Sequence, residues 1–267
     1  MATDNGKISV SYRLLEWIFH AGVSASTARL LIALIHQQDL RGLWDETHMQ
    51  DPHGARTHAA GATLRSRVGP KRDNGARTLK RLLEETRATG LFDSISLRDN
   101  NKVLCWQFAQ WVHVQMNRRW DADYVLLDLE QVAQCRTFRT LRLYVEARCR
   151  YNMKAPAFTG PVHGSWSRYR HPLFASCRDV AGLVDTVFFI GLVPDPNEPG
   201  RFSLIFRMRH IGTKWYPHAL TKFPADTRVY RIDRSSSRKI NPRDFKDYAL
   251  EDEQSAEVER NLIANLL

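Results

Sequence analysis

The sequence predicts an α+β protein made of two tandem domains, each a set of helices followed by a β-hairpin. Three observations predict it. Apolar residues recur at helical spacing through residues 8–38, and a basic helical pattern at 74–89 runs directly into FDSISLRDNNKVLCWQF, residues 92–108. A similar hairpin pattern recurs at 188–208. At 267 residues with 43% hydrophobic content, the chain is long enough for two ordinary domains, each with its own core.

The net charge points to a polyanionic partner or an anionic membrane surface. Lys and Arg number 39 against 29 Asp and Glu, which gives a formal charge of +10. No apolar run reaches the roughly 20 residues that a membrane-spanning helix needs. The N-terminus, MATDNGKISVSYRLLEW, lacks a signal-peptide core. We therefore expect a cytoplasmic protein that does not enter the membrane.

Cysteine and histidine spacing gives no sign of a metal site. The four cysteines show no CxxC spacing, so we expect free, mostly buried thiols rather than a zinc site or a disulfide framework. His48, His53 and His58 recur at steps of five, which suits neither a helical i, i+4 metal pair nor the period of a strand. We expect no metal and no other cofactor.

The first domain, residues 1–117, is predicted to place four helices before its hairpin. In the second of them, Ser24 or Ser26 can cap the N-terminus. Its buried stripe is formed by Leu30, Leu31, Leu34 and Ile35. Helix, helix, short helix, basic helix and hairpin is the order of a winged helix, and the hairpin is then the wing. The four predicted helices span residues 8–21, 26–38, 57–67 and 74–89.

The second domain, residues 124–210, is predicted to repeat this plan after a linker near 117–123. Its hairpin pattern starts at Gly191, 101 residues after Gly90, where the first one starts. The extension at 211–267 reads as basic, then acidic, and partly irregular: residues 207–246 hold 11 Lys and Arg against 3 acids, and 247–259 hold 6 acids. The domain is predicted to contain helices at 126–133 and 137–151, a recognition helix from 173 to about 188, and strands at 188–193 and 201–208.

Cations are dense across the predicted helix-turn-helix of the first domain. Residues 54–81 hold eight Lys and Arg against the single acid Asp73. Such a run can neutralise DNA phosphates, and Arg can also bind guanine bidentately; the alternative is a merely solvated face. We predict double-stranded DNA as the partner. The predicted contact residues are Arg65, Arg67, Lys71 and Arg72, then Arg77, Lys80 and Arg81 on the basic helix, and Lys102 on the wing.

The second half carries a weaker form of the same signal. Residues 136–185 hold nine Lys and Arg against three acids, and SWSRYRH interleaves aromatic and basic side chains. Trp166 and Tyr169 either stack on bases or pin a long loop to the core. The predicted contact residues are Arg168, Arg170, Arg178 and Arg201.

Catalytic motifs are not evident. The sequence holds no His-x-His pair, no Gly-x-x-x-x-Gly-Lys-[Ser/Thr] phosphate loop and no Gly-x-Ser-x-Gly elbow. His218 and Tyr230, with Arg209 and Arg228 nearby, have a spacing similar to that of tyrosine recombinases, but the rest of that pattern is missing. We expect no enzymatic activity and predict no catalytic residues.

The segment QCRTFRTLRLYVEARCRYN, residues 134–152, resembles a segment of the tandem winged-helix replication initiators of bacterial plasmids, where a helix bearing Arg-Leu-Tyr opens the second domain. The resemblance implies plasmid DNA replication: binding to repeated origin sites, opening of the duplex and recruitment of host replication proteins. It also implies a homodimeric form that represses its own gene. The alternatives are a transcriptional regulator with the same folds, a nucleic-acid-processing enzyme, and a structural or RNA-binding protein.

Overall fold

The computed structural model divides the chain into a first unit, Met1–Cys149, and a second unit, Arg150–Leu267. At 65–68, 76 and 77 only the backbone is described. The structure describes residues 6–44, 56–68, 76–117, 123–153, 156–162, 164–195, 198, 201–210, 223–224 and 227–241.

The first unit combines seven described helices with two small antiparallel sheets. Its three-stranded sheet has the order β2-β4-β3, and β1 pairs with β5 in a separate ribbon. The elements are β1 (Lys7–Ser11), α1 (Tyr12–His20), α2 (Ala25–Leu40), β2 (Thr57–Ala60), α3 (Gly61–Val68), α4 (Ala76–Arg87), β3 (Phe92–Arg98), β4 (Val103–Phe108), α5 (Gln110–Asn117), β5 (Tyr124–Asp128), α6 (Leu129–Gln134) and α7 (Phe138–Cys149).

Helix α2 forms the centre of this unit. The Ser24 side chain accepts a hydrogen bond from the Thr27 N–H at 3.3 Å, so the predicted N-cap is confirmed. The predicted stripe is also confirmed, and burial extends beyond it to the opposite side of the helix, which includes the charged Arg29. The Arg29 Nη1 donates to the Cys135 carbonyl at 2.8 Å. Burial lowers the pKa of Arg29, and the bond ties α2 to the turn after α6.

Three predicted helices begin with strands instead. Residues 7–11 form β1, 57–60 form β2 and 124–128 form β5. Each strand is defined by a distant partner: β1 pairs with β5 from Lys7 opposite Asp128, and β2 pairs with β4 from Thr57 opposite Trp106. The spacing of apolar residues within one short stretch of sequence does not reveal a strand partner that lies far away along the chain.

The division between units also differs from the predicted linker at 117–123. Residues 124–149, assigned from sequence to the second domain, lie in the first unit. The physical reason is the β1–β5 ribbon, which buries Ile8, Val10, Val125 and Leu127. The segment that follows β5 is held there as well, because the Tyr144 hydroxyl accepts from the Asp128 N–H at 3.0 Å.

In its described residues, the second unit consists of a five-stranded antiparallel sheet and one long helix. The strand order is β10-β9-β7-β8-β6. Residues 228–232 and 237–240 form strands within the extension that was predicted to be partly irregular, because β9 pairs with β7 and β10 pairs with β9. The elements are β6 (Ala157–Pro161), α8 (Trp166–Val184), β7 (Thr186–Pro194), β8 (Phe202–His210), β9 (Arg228–Ile232) and β10 (Ser237–Ile240).

Helix α8 differs in its bounds from the predicted recognition helix. It begins at Trp166 rather than at Leu173, and it ends at Val184, before Asp185 in the left-handed region with φ 46°. The chain therefore turns into β7 earlier than periodicity suggested. The predicted hairpin is confirmed and is longer than expected, since β7 and β8 pair from Thr186 opposite His210 to Pro194 opposite Phe202.

Both faces of β7 are covered. On one face, Trp166 and Phe174 of α8 pack on Tyr230 of β9, with ring centroids 5.6 and 5.1 Å away. On the other, Phe223 packs against a cluster that includes Phe189 and Val229. A Cβ atom at Gly191 would collide with the Phe223 ring, so the close approach of this ring requires glycine in the middle of β7.

Candidate nucleic-acid interface

Helix α4 presents the predicted basic surface of the first unit. Leu79, Leu82 and Leu83 are buried, and the Thr86 hydroxyl donates to the Leu82 carbonyl at 2.7 Å, so it needs no other partner. The side chain of Lys80 is exposed. These inward and outward positions follow the helical period.

The exposed cations of α4 are not all equivalent. Arg81 Nη1 lies 2.8 Å from Glu85 Oε1, and Arg87 Nη1 lies 2.7 Å from Glu84 Oε1. Within the described residues, Lys80 makes no ion pair. These two ion pairs leave the C-terminal half of α4 close to neutral.

Glu85 also joins α4 to the first turn of α2. Its Oε2 accepts from the Thr27 hydroxyl at 2.6 Å and from the Ser24 N–H at 3.0 Å. Partial burial acts to raise the pKa of Glu85, but the hydrogen bonds from Ser24 and Thr27, with the charge of Arg81, outweigh it and lower the pKa. Glu85 is thus an ionised carboxylate in the last turn of α4, and its hydrogen bonds to α2 hold it in place.

The hairpin β3–β4 follows α4 after Gly90, which has φ 69°. Its turn holds three successive residues in the left-handed region, Asp99, Asn100 and Asn101, with φ of 51°, 53° and 67°. Asn and Asp tolerate this conformation better than other non-glycine residues. Lys102 follows and is exposed. The sequence DNNK therefore explains a tight turn that displays a cation.

This turn is bonded to the start of α3. The Gly61 N–H donates to the Lys102 carbonyl at 2.7 Å, at the end of the β2–β4 ladder, where Ala60 lies opposite Val103. The tip of the hairpin and the first residue of α3 are therefore neighbours. Arg98 lies opposite Val103 on the other side of the turn and is exposed. Sequence reasoning missed Arg98, although its position directly before the turn was the signal.

The other predicted residues of this unit fall where side chains are not described. Arg65 and Arg67 lie in α3, and Arg77 lies in the first turn of α4. Lys71 and Arg72 lie outside the described residues. The roles assigned to these five side chains stay predictions.

In the second unit, the predicted cations meet different surroundings. Arg168 and Arg170 are exposed in the first turns of α8. Arg178 instead extends toward the sheet, and its Nη1 lies 3.3 Å from the Ser237 hydroxyl of β10. Arg201 is exposed and paired with Glu198 at 2.5 Å. Arg178 thus has a packing role that its position on a helix did not indicate.

Of the two roles considered for Trp166, the geometry favours pinning. Its ring lies 5.9 Å from that of Phe174 in an edge contact and also contacts Tyr230. The ring therefore fastens the start of α8 to β9. Tyr169 is half-buried.

A row of arginines across the second sheet was not singled out from the sequence. Arg207 of β8 and Arg231 of β9 both lie opposite Phe189 of β7, and Arg238 of β10 lies opposite Arg231. Directly opposed residues share a face. The Arg231 Nη1 lies 2.6 Å from Asp233 Oδ2, and burial lowers the pKa of Arg207. Only the register of three strand pairs brings these residues together.

Two further absences apply to the described part of the chain alone. No described helix combines the length and the apolar character needed to cross a membrane. No three His, Cys, Asp or Glu side chains among the described residues are grouped as metal ligands would be. His58 is exposed on β2, and His48 and His53 lie outside the described residues.

The fold defines an α+β protein whose first unit combines a basic helix with a hairpin whose turn is exposed. No protein-family model matches the chain, and no curated protein matches it. Among solved structures, it is similar to a Pi initiator protein crystallised in complex with iteron DNA. That similarity has a TM-score of 0.47 with 9% sequence identity, and it covers 78% of this chain and 99% of that one. The similarity is distant and concerns the fold alone.

Proposed function

We propose that the chain is a sequence-specific protein that binds double-stranded DNA, and that its first unit is a winged helix. The observation that carries the proposal is the arrangement of α3, α4 and the hairpin. A short strand precedes α3, the hairpin follows α4, and the sheet order β2-β4-β3 places the short strand against the second strand of the hairpin. A winged helix has its elements in the same arrangement, which supports the proposal.

The charge of this region supports duplex DNA as the ligand. A major groove admits an α-helix, and Lys and Arg bind its phosphates and guanine edges. Lys80 and Arg81 are exposed on α4, and Arg98 and Lys102 are exposed on either side of the hairpin turn. In this proposal α4 enters the groove and the turn contacts the backbone beside it.

We further propose that the second unit also contacts DNA, through the start of α8 and the hairpin β7–β8. Its strands β6, β8 and β7 repeat the order of the first sheet. One helix, α8, stands where the first unit has two. Arg168 and Arg170 are the exposed cations at its N-terminal end, where the helix dipole also favours an anion.

The more specific role in this proposal is initiation of plasmid replication at repeated origin sites. The resemblance of residues 134–152 to a segment of plasmid initiators supports it, and α7 (Phe138–Cys149) occupies most of that segment. A plasmid carrying this gene and its flanking DNA is expected to replicate. A transcriptional regulator with the same folds would bind the DNA without supporting replication.

The test of DNA binding is a selection on random duplex DNA at about 150 mM salt, because non-specific cationic attachment weakens steeply as salt rises. Enrichment of one motif, as direct repeats for an initiator, is expected. Recovery of no enriched motif would overturn sequence-specific binding. Incubation with supercoiled DNA and Mg²⁺ tests the proposed absence of catalysis, and nicking would overturn it.

A further inference from the structure

Helix α4 holds its cations in three different electrostatic settings. Within the described residues, Lys80 makes no ion pair. Arg87 is paired with Glu84, whose side chain is 70% exposed. Arg81 is paired with Glu85, whose side chain is only 29% exposed. The three settings lie within eight residues of one helix, so substitutions at these positions can compare them directly.

Glu85 differs from Glu84 because α2 holds it in place. Its Oε2 accepts two hydrogen bonds from the first turn of α2, from Thr27 and Ser24, while its Oε1 accepts from Arg81. Glu84 has no such bonds to α2; its described partner is Arg87. An exposed i, i+4 ion pair is weak by itself, so the pair with Arg81 alone would not hold Glu85 in place. The carboxylate of Glu85, bonded to a second helix, stays where it is.

A fixed carboxylate changes which acceptor Arg81 prefers. A DNA phosphate that approaches Arg81 is repelled by Glu85, and the neutral Arg81–Glu85 pair releases few counterions from the duplex. A guanine edge presents two neutral acceptors, O6 and N7, and is not repelled in this way. The guanidinium has five N–H donors in a rigid fork, so it can keep one bond to Glu85 and offer others to a base. Glu85 also restricts the rotamers of Arg81 before DNA binds.

We propose that Glu85 is a specificity-determining residue: held by Ser24 and Thr27, it keeps Arg81 from binding DNA phosphate and orients it to bind the neutral edge of a guanine. This inference rests on the proposed function, since it concerns how α4 distinguishes a base from the backbone. It assigns a role to an acidic residue in a surface predicted from its cations alone.

The experiment measures how the affinity of the full-length protein for a short duplex of random sequence depends on salt. The slope is the magnitude of the fall in log K with log salt, and each cation that neutralises a phosphate adds about 0.9 to it. Lys80→Gln should lower the slope by about that amount, and Arg81→Gln by less than half of it. Equal losses in the two variants would overturn the inference, because Arg81 would then bind phosphate as freely as Lys80 does.

Glu85→Gln should raise the slope by about 0.9, because Arg81 becomes available to phosphate while the amide oxygen can still accept from α2. The matched control is Glu84→Gln, which removes the same charge from the neighbouring position and should raise the slope by less than half as much. Equal increases would mean that any lost negative charge acts alike, and this would overturn the inference. In an Arg81→Gln background, Glu85→Gln should raise the slope no more than Glu84→Gln does; a larger increase would also overturn the inference.

A duplex enriched by selection provides the second measurement. On that duplex, Glu85→Gln should reduce the ratio of specific to random-sequence affinity, whereas Glu84→Gln should leave the ratio close to that of the wild type. Failure of the wild type to bind any duplex at low salt would overturn the proposed function, and this inference with it. Wild-type binding with no difference between the two Gln variants would overturn this inference alone. If Glu85→Gln unfolds the protein, the comparison of Lys80→Gln with Arg81→Gln decides the matter without it.

Discussion

The two units share an arrangement of three strands and differ in the helices between them. In the first unit β2, β4 and β3 are neighbours in that order, and in the second β6, β8 and β7 are. The first strand of each set is followed by two short helices in one unit, α3 and α4, and by the single helix α8 in the other. The same strand order therefore tolerates different helical layers.

The outer edge of each sheet differs as well. In the described residues, β3 is the edge of its sheet, whereas its counterpart β7 is flanked by β9 and then β10. The additional strands cover the edge of β7, and Arg178 of α8 extends toward Ser237 of β10. In the first unit, by contrast, Lys80 and Arg81 remain exposed on α4. The comparison teaches that a cation on a helix can take a partner from the neighbouring sheet, as Arg178 does with Ser237, or from its own helix, as Arg81 does with Glu85.

The largest expected effect concerns the C-terminal end of the first unit. A fragment of residues 1–149 should unfold cooperatively, whereas one of residues 1–117 should not, because it lacks β5 and the Cys135 carbonyl that accepts from buried Arg29. Loss of both leaves β1 unpaired and a buried cation without its acceptor, each a strongly destabilising change. Thermal unfolding followed by circular dichroism measures this. A cooperative transition at the same temperature in both fragments would contradict the division at Cys149.

The next effect concerns the middle of β7. Gly191→Ala should destabilise the second unit by about 1–3 kcal/mol, as expected for overpacking, because the new methyl group would displace Phe223. Gly182→Ala, in α8, is the matched control. Its Cβ would lie 3.8 Å from the Arg234 Cβ, an ordinary contact, and the change should stabilise by up to about 1 kcal/mol through helix propensity. Urea unfolding of the two variants checks the pair. Equal effects would show that Phe223 does not require glycine opposite it.

How far the sequence predicts this molecule depends on how local each signal is. The Ser24 cap and the stripe of α2 were predictable because each is defined within a few residues along one helix. The hairpin at 92–108 was predictable because its turn, Asp99 to Lys102, lies between its own strands. Strand β1 was mistaken for the start of a helix because its partner β5 lies more than a hundred residues away.

The candidate site shows the same limit. Exposed Lys80 and Lys102 could be found from charge and position. The contact of Glu85 with Ser24 spans 61 residues, and that of Arg178 with Ser237 spans 59. Both depend on how separate elements pack, so neither was predicted from sequence. The tertiary partner of a charged side chain, rather than its helix, decides whether the side chain is available to a ligand.

A smaller effect concerns the pH dependence of stability, which we predict for one carboxylate of each unit, Asp233 and Glu85. Burial acts to raise the pKa of Asp233, but hydrogen bonds from Ser235 and Ser236 lower it below its usual 3.8, and the pKa of Glu85 lies below its usual 4.5. A lowered pKa in the folded state contributes stability above the unfolded pKa and loses it as pH falls through the folded value. Both contributions should therefore be present at neutral pH and disappear on acidification below these values.

Unfolding temperature measured against pH checks this expectation. Asp233→Asn and Glu85→Gln should each lower the unfolding temperature at neutral pH more than at acidic pH, which flattens the profile. Asp93→Asn, at an exposed position of β3, serves as a charge-matched control and should leave the profile close to that of the wild type. A parallel downward shift at every pH in either test variant would show that its effect does not depend on ionisation.

The smallest effect concerns Arg178 and Arg201 of the second unit, both of which were predicted from the sequence to contact DNA. Arg178→Ala should cost about 0.5–1.5 kcal/mol, the usual net value of one hydrogen bond, because it removes the bond between α8 and Ser237. Arg201→Ala should change stability by less than about 0.5 kcal/mol, since an exposed ion pair contributes little. In DNA binding the order should reverse, because the Arg201 side chain, 66% exposed, can exchange Glu198 for a phosphate, whereas Arg178 serves the packing of α8 on the sheet. Urea unfolding and salt-dependent DNA affinity should be measured on both variants. If each variant lost stability and affinity in parallel, the two arginines would not have separate roles.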